Sequence, residues 1–221
     1  MAKLIREDIF DSKAIKPMIV EENGKKSHYI KGIFLQAEQK NRNGRVYPIG
    51  LLQREVKRYS DNYIAEKRSY GELGHPDNPS INLDRVSHIM TELYQDGNNF
   101  IGKAKILETP NGKIVKNLLD EGCKLGVSSR GVGTLKPQNG FQVVQDDFYL
   151  ATAADIVSDP SAPDAFVQGI MEGRNWVMTE TGDWREIDYD HAKKQLKEAN
   201  KRDFEAKAIK MFEDYLLKIA K

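Results

Sequence analysis

Runs of apolar residues along the chain change period several times, and each change marks a different element. "SHYIKGIFLQAE", residues 27–38, carries the aromatic and β-branched content of a strand and runs into the polar turn "NRNGRVYP", ended by Pro48. In "LLQREVKRYSDNYI" that follows, Leu52, Val56, Tyr59 and Tyr63 recur near the helical period, which predicts an amphipathic helix. "RVSHIMTELYQDGNNFIGKAKIL" reads as two strands around the turn Asp96-Gly97-Asn98. "NGKIVKNLLDEGC" returns to helical spacing, with Ile114, Val115, Leu118 and Leu119 on one stripe. "GVSSRGVGTL", "FQVVQ" and "FYLATAADIV" are strand-like, with a turn at "KPQNG". The pattern predicts a β-rich α+β body in which the chain around residues 128 and 155 comes together.

The last forty residues differ. "HAKKQLKEANKRDFEAKAIKMFEDYLLKIAK" sets Leu196, Phe204, Ala208, Phe212, Tyr215 and Ile219 as an apolar stripe among dense charges, which predicts a C-terminal amphipathic helix in need of a partner surface. Packing on its own domain or self-association satisfies such a face, as does a recognition role. The chain therefore divides into an N-terminal segment 1–26, a main domain 27–178, and a linker with the C-terminal helix over 179–221.

Composition removes several classes of function. With 221 residues, 39% of them hydrophobic, the chain can bury a core of enzyme size. Lys and Arg number 34 against 33 Asp and Glu, a formal charge of +1, which supplies no electrostatic reason for a nucleic-acid partner. The single cysteine, Cys123, excludes an internal disulfide framework and a multi-cysteine metal site, fits a reducing cytoplasm, and is expected to be a buried, inert thiol at a helix end. No window approaches a membrane span and the N-terminus lacks an apolar signal core, so a soluble chain is expected. No pair of histidines has metal-ligating i, i+4 spacing, and no cofactor is expected.

The chemistry centres on "LGVSSRGVG", residues 125–133, where two serines stand between glycines. Gly126 frames Ser128 and Gly131 frames Ser129, so neither serine completes the Gly-x-Ser-x-Gly elbow of esterases. A serine hydroxyl needs a neighbouring base to take its proton and a third group to orient that base. Of the four histidines, His28 and His191 read as surface residues. His75 lies in the irregular Gly- and Pro-containing loop "RSYGELGHPDNPS", and His88 lies mid-strand in "DRVSHIM". The candidate acid is Asp155: strand alternation places it on one face with Tyr149, Ala151, Ala153 and Val157, in an apolar strand where a carboxylate needs a specific partner. Asp159 and Asp164 suit turn roles in the Pro-containing loop that follows.

The segments "IFLQAEQKNRNGRVYP", "YGELGHP", "GVSSRG" and "VSDPSAPDAF", in that order, resemble the prohead core proteases of T-even-type tailed bacteriophages, a family grouped with other phage prohead proteases and herpesvirus assemblins. The resemblance spans about residues 28–167. It implies an assemblin-like β-barrel surrounded by helices, and a serine endopeptidase that cuts scaffold or core proteins and the major capsid protein inside the prohead, within the host cytoplasm. It implies Ser128 as nucleophile and His75 as base, with Ser129 on the opposite side of the strand. Assemblins use a second histidine as third member where phage relatives use an acid. Residues 149–167 contain no histidine, so Asp155 is the choice for that role and His88 the runner-up. The oxyanion hole is expected from backbone N–H groups of "SDPSAPDA", with Arg130 as an anchor for that loop. Cleavage in T-even-type relatives follows Glu in a Leu/Ile-x-Glu pattern, and such triplets here include those that end at Glu7, Glu21, Glu108, Glu172 and Glu198. Glu7, Glu21 and Glu198 are the expected autoprocessing sites of a zymogen. A non-catalytic core component of the same fold and a serine esterase-type hydrolase are the alternatives.

Overall fold

The computed structural model describes residues 3–9, 16–22, 25–76, 78–123, 125–158, 175–178, 184–187 and 209. It is a β-rich α+β fold, as the apolar periods predict. In chain order the strands are β1 (Lys3–Ile9), β2 (Lys16–Glu22), β3 (Lys25–Gln36), β4 (Arg45–Val46), β5 (Tyr70–Glu72), β6 (Val86–Asp96), β7 (Asn99–Ile106), β8 (Leu125–Gly133), β9 (Leu135–Gln138), β10 (Phe141–Val144), β11 (Tyr149–Ser158), β12 (Asn175–Met178) and β13 (Trp184–Ile187). Among the described residues the α-helices α1 (Ile49–Tyr59) and α2 (Pro110–Asp120) interrupt them.

The described strands pair in three open sheets, ordered β11-β8-β1-β12-β13, β4-β10-β9 and β2-β3-β7-β6-β5. A single closed barrel is not among them. The first 26 residues contribute β1 and β2, which pair with β8 and β3, while β13 pairs with β12 beyond residue 178. Of the residues expected to form a C-terminal helix, only Ile209 lies within those described; it is helical and exposed.

Each helix follows from local signals. α1 starts directly after Pro48 and sends Leu51, Leu52, Val56 and Tyr59 into the core, with Lys57 and Arg58 in its last turn facing the negative end of the helix dipole. A π-helical turn, Ser60–Ile64, continues it and brings the ring of Tyr63 to stack on Tyr59. α2 is capped by Thr109, whose hydroxyl accepts from Gly112 N–H at 3.1 Å, and has Pro110 at its first position. It ends at Gly122, with φ +76°, a conformation that favours glycine. Cys123 follows that turn and is exposed, not buried, because the helix stops before it can be carried into the core. The hairpin expected around Asp96-Gly97-Asn98 is β6 and β7, with Gly97 at φ +60°.

The core runs between the sheets and α1, built on Phe34, Leu52, Tyr59, Met90, Phe100, Leu150 and Ile156. Its density reaches the edge of the site. A Cβ at Gly71 would lie 2.1 Å from His88 Nε2 and 2.4 Å from Ala154 O, so no side chain fits between β5 and β11 there. Gly71→Ala is expected to destabilise the fold by about 1–3 kcal/mol. Urea unfolding checks this, and a midpoint equal to that of the parent chain would refute it.

Candidate active site

The serine pair sits on β8, a strand flanked by β11 on one side and β1 on the other. Its glycines serve close packing: a Cβ at Gly131 would lie 2.3 Å from the Phe148 ring. Ser128 and Arg130, two residues apart, share a face of the strand, and both are fully buried.

On β11 the simple alternation expected from sequence does not hold. Leu150 pairs with Gly131, Thr152 with Arg130 and Asp155 with Ser128, with a register shift between each successive pair. Without these irregularities the Leu150 register would put Asp155 opposite Gly126. Two bulges therefore slide Asp155 along by two positions, about 7 Å, to face Ser128. Helix α1 secures the start of the irregular stretch. The buried Glu55 carboxylate accepts from Leu150 N–H at 2.9 Å, and Arg58, held by Glu55 at 2.8 Å, donates to Leu150 O at 2.7 Å. Backbone groups that strand pairing leaves open are satisfied by side chains instead.

His75 is brought to this pair by the loop after β5. Leu73 forms a parallel bridge with Ile156, and Gly74 N–H donates to Ile156 O at 2.7 Å, so the loop is tied to β11 beside Asp155. Gly74 turns at φ +81°. The His75 ring then spans the gap. Its Nδ1–H donates to Asp155 Oδ2 at 3.0 Å, and its Nε2 is in direct hydrogen-bond contact with Ser128 Oγ. An ionised carboxylate only accepts, which fixes the proton on Nδ1 and leaves Nε2 as the acceptor for the serine hydroxyl.

Asp155 is buried completely and has further partners. Its Oδ1 accepts from Glu72 N–H at 3.0 Å and from Arg130 Nη2 at 3.2 Å, and Arg130 Nε lies 2.5 Å from Oδ2. Burial alone would push this carboxyl upward, but the Arg130 guanidinium and the bond from His75 outweigh it and hold the group below the ordinary carboxylate range. The arrangement can take a proton from a serine hydroxyl and stabilise the resulting imidazolium, which is what nucleophilic attack by a serine requires.

The family model described as "prohead core protein serine protease" matches residues 6–175. The chain belongs to this family. It is a serine protease, and it is 38% identical over 160 residues to the prohead core protein protease of Enterobacteria phage T4, spanning 68% of this chain and 75% of that one. Its fold is similar to the solved structure of the bacteriophage T4 capsid assembly protease, with a TM-score of 0.64 and 31% identity over 71% of this chain and 98% of that chain.

In this prohead core protease the structure brings together Ser128, His75 and Asp155, while His88 is held elsewhere. The His88 ring is fully buried on β6, where Nε2–H donates to Ala154 O at 3.0 Å and Nδ1 accepts from Ser87 Oγ at 2.9 Å. Both ring nitrogens of His88 are thus engaged away from His75. His28 is half-buried and contacts Asp120 Oδ1 at 3.1 Å, whereas His191 lies outside the described residues. The same is true of residues 159–165, on which the oxyanion-hole expectation falls. Arg130 anchors a loop, but among described residues it is the one after His75: its Nη1 donates to Asn78 O at 2.7 Å and Ser80 O at 3.2 Å. Glu72, fully buried between Arg130 and Asn82, was not singled out from the sequence. Its one visible signal is an acidic residue inside "YGELGHP", three positions before the histidine.

Burial pushes the His88 imidazole down to about 4, below its ordinary 6.5. Between those values the unfolded chain binds a proton that the folded chain does not, so the protease loses stability as pH falls through this window, by up to about 3 kcal/mol. Denaturant titrations from pH 7 to pH 4 should show that slope, and His88→Gln should flatten it. An unchanged slope in His88→Gln would assign the pH dependence to other groups.

Proposed function

We propose that this chain is a serine endopeptidase of phage capsid maturation, with Ser128 as nucleophile, His75 as general base and Asp155 as the group that orients and stabilises the imidazole. The observation that carries the reading is the unbroken contact series from Ser128 Oγ through His75 Nε2 and Nδ1 to Asp155 Oδ2. Ser128 Oγ attacks the scissile carbonyl as its proton passes to His75 Nε2, and the imidazolium then protonates the leaving amine. Water, activated by the same nitrogen, hydrolyses the acyl-enzyme and restores the serine. Ser129 alternates to the other face of β8 and takes no part. Backbone N–H groups of 158–165 are the proposed oxyanion donors.

The substrates of this reading are scaffold or core proteins and the major capsid protein within the prohead, in the host cytoplasm. The names of the T4 relatives support that setting. Cleavage follows Glu in Leu/Ile-x-Glu, and the chain processes itself. Among the candidate sites Glu7 gains support from the backbone register, in which β1 runs antiparallel to the serine strand with Glu7 opposite Ser129 and Asp8 opposite Ser128. The main protease domain is 27–178 in this reading. The proposed fold type is assemblin-like, and the proposed role of the expected C-terminal amphipathic helix is to engage scaffold or a second copy.

Ser128→Ala is expected to abolish cleavage of prohead proteins, Ser129→Ala to retain it, and Asp155→Asn to lower kcat by about 10⁴-fold. Fragment ends read by mass spectrometry check both the nucleophile and the preference for Glu. Cleavage that persists in Ser128→Ala would overturn the assignment, and new ends that do not follow Glu would overturn the specificity.

A further inference from the structure

The three residues just assigned lie on three separate elements, and one side chain touches all of those elements. Arg130, on the serine strand β8, reaches Asp155 on β11 through Nη2 and Nε, and reaches the His75 loop through Nη1 to Asn78 O and Ser80 O. Its Nη2 also contacts Glu72 Oε1 at 3.1 Å. Glu72 closes the circuit. Its main-chain N–H donates to Asp155, its Oε1 accepts from Asn82 N–H at 2.9 Å across the base of the loop, and its Oε2 lies 3.4 Å from Arg85 Nε. Arg130, Asp155 and Glu72 are all fully buried, so their fields act at low dielectric and are little screened by salt.

We propose that Arg130 and Glu72 are positioning residues of the protease site: the Arg130 fork locks the Asp155 carboxylate and the His75 loop to the serine strand, and Glu72 balances the Arg130 charge beside Asp155. This rests on the triad reading above. The fork geometry is essential to the first role, because only a planar guanidinium serves a carboxylate and two carbonyls from one position. The charge balance is essential to the second. An uncompensated cation beside Asp155 weakens its hold on the imidazolium, and an uncompensated anion strengthens it.

The charged and titratable groups facing His75 and Asp155 among the described residues are few. β8 supplies Arg130, β5 supplies Glu72, and the 3-10 turn Leu83–Arg85 supplies Arg85, whose side chain is 43% exposed and therefore more weakly coupled. His88 from β6 is kept neutral by burial, and the buried Tyr59 phenol of α1 is held protonated, well above its ordinary range. Among the described residues, Glu72 and Arg130 are thus the two fully buried charges, besides Asp155 itself, placed to move the acid limb of the pH profile.

The test uses the full-length chain with Arg130→Gln, Arg130→Lys and Glu72→Gln. Two readouts are taken: kcat/KM against pH on a Glu-containing peptide, and the NMR titration of the His75 imidazole in a Ser128→Ala background. Arg130→Gln should move the acid limb and the imidazole titration to higher pH by about one unit, and Glu72→Gln should move both to lower pH. Arg130→Lys keeps the charge and loses the fork, so kcat should fall about 10- to 100-fold with the limb in place. Shifts in one direction for both glutamine variants, or none, would overturn the proposal, as would wild-type turnover in Arg130→Lys. If Arg130→Gln does not fold, the sign of the Glu72→Gln shift decides. Failure of both glutamine variants to fold would assign the pair to stability alone and overturn it too. The imidazole titration needs no turnover, so it judges the charge pair even if residual cleavage in Ser128→Ala has removed the triad reading.

Discussion

A guanidinium sealed from water holds a carboxylate equally sealed, and the rest of the site is arranged around that contact. Removing Arg130 and Asp155 from solvent costs several kcal/mol per ion, which only close pairing and full hydrogen bonding can offset. The pair meets most of that demand with the Glu72 main chain and the His75 ring on the carboxylate, and with two loop carbonyls on the guanidinium, while Arg130 Nε, 2.5 Å from Asp155 Oδ2, is paired by charge without a hydrogen bond. Losing either charge would leave the other stranded, a penalty of about 3–5 kcal/mol. That requirement joins β5, β8, β11 and the loop after residue 72 into one cooperative unit. A geometry fit for catalysis is in this way tied to the stability of the fold.

The bulges of β11 are the second constraint. Strand pairing alone would leave Asp155 two positions from Ser128, and a regular strand has no means of closing that distance. The irregular stretch survives because a buried carboxylate on α1 supplies an acceptor that the ladder does not, and Arg58 supplies a donor for the carbonyl of the same residue, Leu150. Glu55 and Arg58 lie a helical turn apart, both facing β11. A helix that reads from sequence as an ordinary amphipathic element therefore also holds the irregular register of the strand that carries Asp155.

Much of this is legible in the sequence. The helices around 52–63 and 114–119 and the hairpin at Gly97 follow from apolar period and turn chemistry, both of which act locally. Ser128, His75 and Asp155 were legible as residue types in motifs of recognisable order. Strict alternation gives the face of Asp155 and cannot register a bulge held in part by a carboxylate 95 residues from Leu150. Glu72 was missed for a related reason: an acidic residue in a loop is ordinary until the fold seals it from water. Cys123 went the other way, since an apolar stripe extrapolated past Gly122 carries the thiol inward while the chain turns it outward.

The serine strand has neighbours from opposite ends of the sequence, residues 3–9 on one side and 149–158 on the other. Contacts of such long sequence separation form late, because loop closure must precede their reward. A ribosome making this chain has released the first strand long before its partner exists, and the partner in turn waits for Asp155. The nascent chain thus passes through most of its synthesis before residues 149–158 exist to flank the serine strand, and Asp155 comes opposite Ser128 only with that strand.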